Sequence, residues 1–246
     1  MFYFKASKYL KKGFGFMENA IELRDLTMGY GNHTILRNLY LNIKVGEFVS
    51  IFGENGAGKT TLFKGILQLL PIMKGNIKIF NVDVTKSNEK TWLRSQIGYV
   101  PQRHNQGNFP ITVFEATLLG RWGSSFSYFK KPSAEDKEVA KDILQLVDLS
   151  HLSHQDCRRL SGGQIQRLNI ARALARHPRI LLLDEPNTHL DIESQQKLDN
   201  ILHSIRKEYH LSILMISHDQ LHTRRVSDRV VHLRNGTFQK DLELVI

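Results

Sequence analysis

The sequence predicts an α/β fold: a mainly parallel sheet covered by helices, with an antiparallel β portion before it and a helical insertion within it. Three observations predict this. An apolar strand, Phe48 to Phe52, runs straight into a glycine-rich loop and then a helix. Two more short apolar runs, Ile180 to Leu183 and Ile213 to Ile216, alternate with helical stretches, as parallel strands joined by crossover helices do. Ahead of them, the stretch from about Arg103 to Leu160 is polar and largely helical in its spacing.

Bulk properties bound the rest. The 246 residues suit one large domain or a core with a subdomain, since domains run to about 100–200 residues. Hydrophobic residues make up 41% and charged residues 24%, as in an ordinary soluble globular protein. No apolar run approaches the roughly 18–20 residues that span a bilayer. A single cysteine, Cys157, excludes an internal disulfide and argues against a thiolate zinc site. A buried or half-buried structural role and a reducing, cytosolic compartment follow. The net charge of +10 asks for an anionic partner: a nucleotide, a nucleic acid or a lipid surface. The eleven histidines are scattered. His151 and His154 could share a helix face, but nothing nearby completes a ligand set, so solvated surface is their expected role.

Along the chain, Met1 to Phe16 joins Lys5, Lys8, Lys11 and Lys12 to six aromatic residues, with no acidic residue and no long apolar centre. Two readings stand for it. One is a basic aromatic arm on a membrane surface. The other, favoured because the domain pattern begins cleanly afterwards, is an over-extended start with Met17 as the first residue. The main domain is thus expected over residues 17–246, after an extension at 1–16. Alternation of Ile21, Leu23 and Leu26, then of Leu39, Leu41 and Ile43, marks strands of the antiparallel portion. The helical insertion is expected at about 103–165. Within it, Val139, Ile143, Leu146 and Val147 give a helix over Asp136 to Leu149.

After the strand ending at Phe52, Gly53-Glu54-Asn55-Gly56-Ala57-Gly58-Lys59-Thr60 matches G-x-x-x-x-G-K-[ST] in full. Glycines let backbone N–H groups turn inward around a phosphate where side chains would collide. The helix that follows, Thr60 through Gln68 and including Thr61, points its positive end at the same anion. Lys59 is placed to reach the outer phosphates, and the Thr60 hydroxyl to ligate Mg²⁺. A chance glycine turn would lack the strand before and the helix after. Downstream, the apolar run Ile180 to Leu183 ends in Asp184 and Glu185. Carboxylates at the end of a buried strand are costly without a task. Asp184 suits holding Mg²⁺ through water, and Glu185 suits polarising an attacking water.

A second anion site follows from Leu160-Ser161-Gly162-Gly163-Gln164. Ser161 and Gln164 have the spacing of a capping box, and Ile165, Leu168, Ala171 and Leu174 form the apolar stripe of a helix running to about Arg176. A well-capped helix alone explains this much. The two glycines, however, expose free N–H groups at the positive helix end, which is too much for one nucleotide unless it serves a nucleotide held by another subunit.

The loop Gly53–Thr60, Leu160–Gln164, Asp184–Glu185 and His218 together resemble the ATP-binding subunits of ABC transporters, over nearly the whole chain from about Ile21 to Gly236. The resemblance implies a P-loop NTPase core that hydrolyses ATP with Mg²⁺. It also implies a homodimer in which Ser161, Gly162 and Gly163 contact the γ-phosphate held by the partner, two ATP molecules lying head to tail. By the same resemblance Tyr30 stacks on adenine and Gln102 links Mg²⁺ to the helical subdomain. His218 steadies the γ-phosphate and the water, and Asp191 signals across the dimer. Integral membrane permease subunits and, indirectly, a substrate-binding protein are the implied partners, at the cytoplasmic face of the inner membrane. One departure is visible: Pro186-Asn187 stands where relatives often carry Pro-Thr.

Phe109-Pro110-Ile111-Thr112-Val113 and Leu118-Leu119-Gly120-Arg121 resemble subunits of bacterial metal and metal-chelate importers. Thr188-His189-Leu190-Asp191-Ile192 leans to the iron-siderophore, haem and cobalamin branch. Ser217-His218-Asp219 and Pro101-Gln102-Arg103 fit the zinc and manganese branch as well. The rival reading is a non-transport ABC ATPase acting on nucleic acid, which suits the charge. Such relatives usually carry two cassettes or a long coiled-coil insertion, neither of which is present, so no nucleic-acid partner is expected.

Overall fold

A computed structural model of the chain describes residues 18–86, 90–102, 110–122, 127 and 130–239. The extension at 1–16 and the start of the helical stretch, 103–109, lie outside the described residues. In chain order the first half contains β1 (Asn19–Tyr30), β2 (His33–Lys44), β3 (Phe48–Phe52), α1 (Lys59–Ile66), β4 (Ile72–Ile79), β5 (Val82–Asp83), α2 (Lys90–Gln96) and β6 (Ile97–Val100). The second half contains α3 (Val113–Leu119), α4 (Ala134–Leu146), α5 (Gly162–Leu174), β7 (Ile180–Asp184) and α6 (Ile192–Tyr209). It ends with β8 (Ser212–Ser217), α7 (Gln220–Val226), β9 (Arg229–Arg234) and β10 (Thr237–Phe238).

The strands form two sheets. One is antiparallel, in the order β2-β1-β4-β5. The other runs β10-β9-β3-β8-β7-β6, parallel throughout except for the β10 hairpin at its edge. The expected α/β architecture, with a parallel-rich sheet and an N-terminal antiparallel portion, is therefore the observed one. β3, the strand that leads into the glycine loop, lies in the middle with β8 on one side and β9 on the other.

Side chains of the parallel strands bury on both faces, which is why they read as continuous apolar runs. Val49, Ile51, Leu182, Leu214 and Ile216 join one core with α1 and the antiparallel sheet. Phe48, Leu181, Leu183, Ile213 and Met215 join a second core with α3, α4, α5 and α6. Truncating any of these to alanine costs about 2–5 kcal/mol, through lost burial plus the cavity left behind.

Within 103–165 the described residues form α3, α4 and two 3₁₀ turns, Ser150–Leu152 and Cys157–Arg159. Thr112 and Ser133 open the two helices with reciprocal capping boxes, to Glu115 and Asp136. The helix expected to continue to Leu149 stops earlier: Val147 is its C-cap, and Asp148 adopts a left-handed φ of 54° that no α-helix continues through. Cys157 is half-buried. His151 and His154 are exposed.

Candidate functional site

The first group of expected residues converges at the carboxyl ends of the central parallel strands. Gly58 is the N-cap of α1 with φ 103°, a conformation open to glycine and strained for any other residue. Gly53 is fixed by proximity instead, because a Cβ there would press into the carbonyl oxygen of Leu233 on β9. The loop thus packs closely on β9 at Gly53, and its Ala57 N–H bonds to Glu54 O at 3.2 Å.

Lys59 is only 6% exposed, and its ammonium bonds back to the carbonyls of Gly53 (2.7 Å) and Glu54 (3.0 Å). It also faces Glu185 Oε1 at 3.8 Å. Thr60 donates its hydroxyl to Asp184 Oδ2 at 3.4 Å, and the Tyr99 hydroxyl reaches the same oxygen at 3.4 Å. Asp184 is 3% exposed. Burial, with the charge of Glu185 added, pushes its carboxyl above the usual range, against the pull of Thr60, Tyr99 and Lys59. Burial beside Asp184 likewise pushes Tyr99 up to about 12.

Glu185 sits one residue past the strand end with a left-handed φ of 50°. That turn swings its carboxylate, 9% exposed, back over the loop. Gln102 Nε2 donates to its Oε2 at 2.7 Å, Thr188 Oγ1 donates at 3.3 Å, and His218 Nδ1 stands 3.2 Å away. One carboxylate therefore gathers contacts from four side chains spread along the sequence: Lys59, Gln102, Thr188 and His218. His218 remains 55% exposed, open on the side away from Glu185.

Tyr30, at the end of β1, is exposed, and its hydroxyl takes a hydrogen bond from Lys64 at 3.0 Å. That bond, ahead of a smaller contribution from Thr61, holds the phenol below its ordinary value. Thr61 itself is buried beneath the loop. Glu54, Asn55 and Gly56 are exposed at its crest, and Ala57 is half-buried.

The second group is built around the start of α5. Ser161 caps α5, its hydroxyl accepting from Gln164 N (3.4 Å) while Gln164 Oε1 accepts from Ser161 N (2.8 Å). A Cβ on Gly163 would meet Ser194 Oγ at 2.7 Å, whereas one on Gly162 would meet nothing closer than Leu190 Cδ2 at 4.0 Å. Asp191 caps the neighbouring α6 through Ser194 N (2.8 Å) and Ser194 Oγ (2.9 Å). The amide bond from Ser194 leads the causes that hold Asp191 below the usual carboxylate range.

Tyr99 and Thr188 belong to the site but escape sequence reasoning on their own. Tyr99 is visible only as one polar-tipped residue in an apolar strand beside β7. Thr188 is visible only by its distance of three residues from Glu185. Among the described residues, no group of three or more His, Cys, Asp or Glu side chains is arranged to hold a metal ion. No helix among them is long and apolar enough to cross a membrane.

Comparison with known proteins identifies the family. Residues 36–188 match the ABC transporter family. The high-affinity zinc uptake system ATP-binding protein ZnuC of Bacillus subtilis is 36% identical over 220 residues, covering 89% of this chain and 92% of that protein. The manganese transport system ATP-binding protein MntB of Listeria innocua is 36% identical over 200 residues, covering 81% of this chain and 80% of that one. A dimeric ATP-binding cassette in a post-hydrolysis state bound to ADP and phosphate superposes with a TM-score of 0.75 at 30% identity, covering 90% of this chain and 97% of that one. The match over residues 36–188, with relatives 36% identical along most of their length, shows that the chain belongs to the ABC transporter family as an ATP-binding subunit.

Proposed function

We propose that this subunit hydrolyses ATP at the Lys59–Glu185 site, as a head-to-tail dimer, to drive import of a metal ion or metal chelate through separate membrane permease subunits. The observation that carries the catalytic reading is the buried Glu185 carboxylate, held at once by Gln102, Thr188 and His218 and facing Lys59. Water attacks the γ-phosphorus in line, the bond from that phosphorus to the bridging oxygen breaks, and ADP and inorganic phosphate result. Glu185 orients the water and accepts its proton. Lys59 exchanges its backbone carbonyl partners for phosphate oxygens. His218, open on one side, steadies the γ-phosphate, and Tyr30 offers its exposed ring to adenine.

The residues present fit Mg²⁺. The Thr60 hydroxyl and an Asp184 oxygen approach to 3.4 Å, a pair of hard oxygen donors, and Asp184 is buried where a cation offsets the cost of its charge. Thr60, Asp184 and, in the closed assembly, Gln102 would hold the ion. When bound it supplies positive charge against the phosphate oxygens.

The helix end Ser161–Gly163 serves the partner's ATP, and Asp191 lies beside it at the head of α6. Similarity to zinc and manganese uptake proteins supports metal import over action on nucleic acid. A substrate-binding protein is then the outermost partner, and this subunit works at the cytoplasmic face of the membrane. Removing the gene and measuring cellular zinc, manganese and iron in chelator-limited medium tests the cargo. Lowered content of one metal, restored by the wild-type gene and not by Glu185→Gln, is the expected result. Unchanged content of all three would refute metal import.

A further inference from the structure

Behind the site lies a buried polar contact that ATP hydrolysis as described does not use. His222, on α7, is 6% exposed. Its Nε2 lies 2.9 Å from Asp199 Oδ1 on α6 and 2.6 Å from the side-chain amide of Asn187, two residues beyond Glu185. The other Asp199 oxygen accepts from Arg225 Nη2 at 3.0 Å. A ring nitrogen that faces a carboxylate at this distance carries the proton and donates it. The same N–H has no lone pair to offer an amide donor. Asn187 Oδ1, meanwhile, is buried without a partner. The same amide nitrogen stands 3.4 Å from Nδ1, so it lies beside the imidazole and not in line with its N–H. The ring, held to α6 by its own proton, thus backs the Asn187 loop.

The loop needs such an anchor. Glu185 and His189 both hold left-handed φ values, 50° and 67°, which non-glycine residues keep only when their surroundings over-determine them. Two of the loop's hydrogen bonds are internal, Thr188 N to Glu185 O and Leu190 N to Asn187 O. Its ties to the rest of the fold include Glu185 N to Ile216 O at 2.9 Å and the Asn187–His222 contact. The start of α7 is held separately, by its N-cap: the backbone N–H of His222 bonds to Asp219 Oδ1 at 3.0 Å.

We infer that His222 is a positioning residue for hydrolysis: through Asn187 it sets the loop that carries Glu185. The Glu185 side of the 3.2 Å approach between Glu185 and His218 is thus backed by a buried ring. The inference rests on the reading of Glu185 as the group that orients water. It also gives Asn187, which departs from the common Pro-Thr sequence, a specific partner.

The test uses the purified full chain and measures steady-state ATPase kinetics, nucleotide affinity and the melting temperature. His222→Leu and Asn187→Ala should lower kcat about tenfold to a hundredfold, the effect of misplacing a reacting group by about 1 Å, while KM for ATP stays within about twofold. His222→Gln retains an N–H near the Nε2 position and should recover most of the lost kcat. A kcat within about twofold of wild type in either variant, or a Gln variant no better than Leu, would overturn the inference. Should the Leu variant fail to fold, Asn187→Ala, at a half-buried position, decides alone. Glu185→Gln is run beside them. Full turnover in that variant overturns both the reading of Glu185 and the positioning role built on it, whereas failure confined to the His222 series leaves Glu185 in place.

Discussion

Two helix N-termini in this molecule present backbone N–H groups, and they are built to opposite ends. At α1 the loop is closed by its own chain: Lys59 is buried against Gly53 and Glu54, Thr60 leans on Asp184, and Glu185 covers the mouth. At α5 the cap is satisfied, and a Cβ on Gly162 would meet, beyond its own helix and chain neighbours, nothing closer than Leu190 Cδ2 at 4.0 Å. Glycine at 53 and 58 is explained by strain and close approach inside the fold. Glycine at 162 has no such internal explanation. The difference teaches that the first loop is packed by its own chain, while Gly162 is left free to meet a surface from outside, as the proposed head-to-tail dimer would supply.

The comparison can be broken at four points. The largest effect is expected from Glu185→Gln, which removes the proton acceptor and keeps the hydrogen-bonding shape. Turnover should fall by about a hundredfold to ten-thousandfold, ATP should still bind, and size-exclusion chromatography with ATP and Mg²⁺ should show a trapped dimer. Near-normal turnover would remove Glu185 from its role.

Ser161→Arg comes next, because it fills the open helix end and leaves the α1 loop untouched. Hydrolysis should be lost while the monomer still binds nucleotide. Mixing this variant with Lys59→Ala should restore partial activity, since a head-to-tail pair assembles one doubly defective site and one intact site. No recovery on mixing would count against the head-to-tail arrangement. An unchanged rate in Ser161→Arg alone would leave Ser161 as a helix cap worth about 1 kcal/mol.

Lys59→Ala on its own should weaken ATP binding about tenfold or more, the loss of a charge-assisted bond worth about 1.5–3 kcal/mol. Isothermal titration of the variant measures it, and unchanged affinity would contradict the cradle.

The smallest effect sharpens the contrast most. Gly162→Ala has room for its methyl group, so thermal stability should stay level or rise by about 0.4–1 kcal/mol, while hydrolysis falls. Gly163→Ala, pressed against Ser194, should lose stability instead. Equal behaviour of the two variants in melting and ATPase assays would erase the distinction between an open and a closed glycine.

Much of this was legible in the sequence because the signals are local. The strand Phe48–Phe52 and the glycine loop after it follow from apolar run, glycine spacing and helix pattern within a few residues of one another. So do the capping box at Ser161 and the carboxylates ending β7. What escaped depends on residues far apart in the chain. The Tyr99–Asp184 contact joins positions 85 apart, and Asn187–His222 joins positions 35 apart. No periodicity encodes either one. The strand Ile72–Ile79 was silent for another reason: Lys74, Gly75 and Asn76 break its alternation where the strand is exposed, so only its partner β1 reveals it. The left-handed turn at Glu185 was hidden too, since glutamate gives no hint of such a backbone.

The place of β3 between β8 and β9 carries a consequence for how the protein is made. The strand that delivers the glycine loop emerges early from the ribosome, yet both its neighbours lie in the last fifth of the chain. Until Ile213–Ser217 and Arg229–His232 have been synthesised, β3 is an apolar ribbon with two unpaired edges, and pairing across such separations is slow. Lys59 and Glu185 meet only after that closure. A growing chain therefore has no assembled Lys59–Glu185 pair to offer ATP until β8 and β9 have been made.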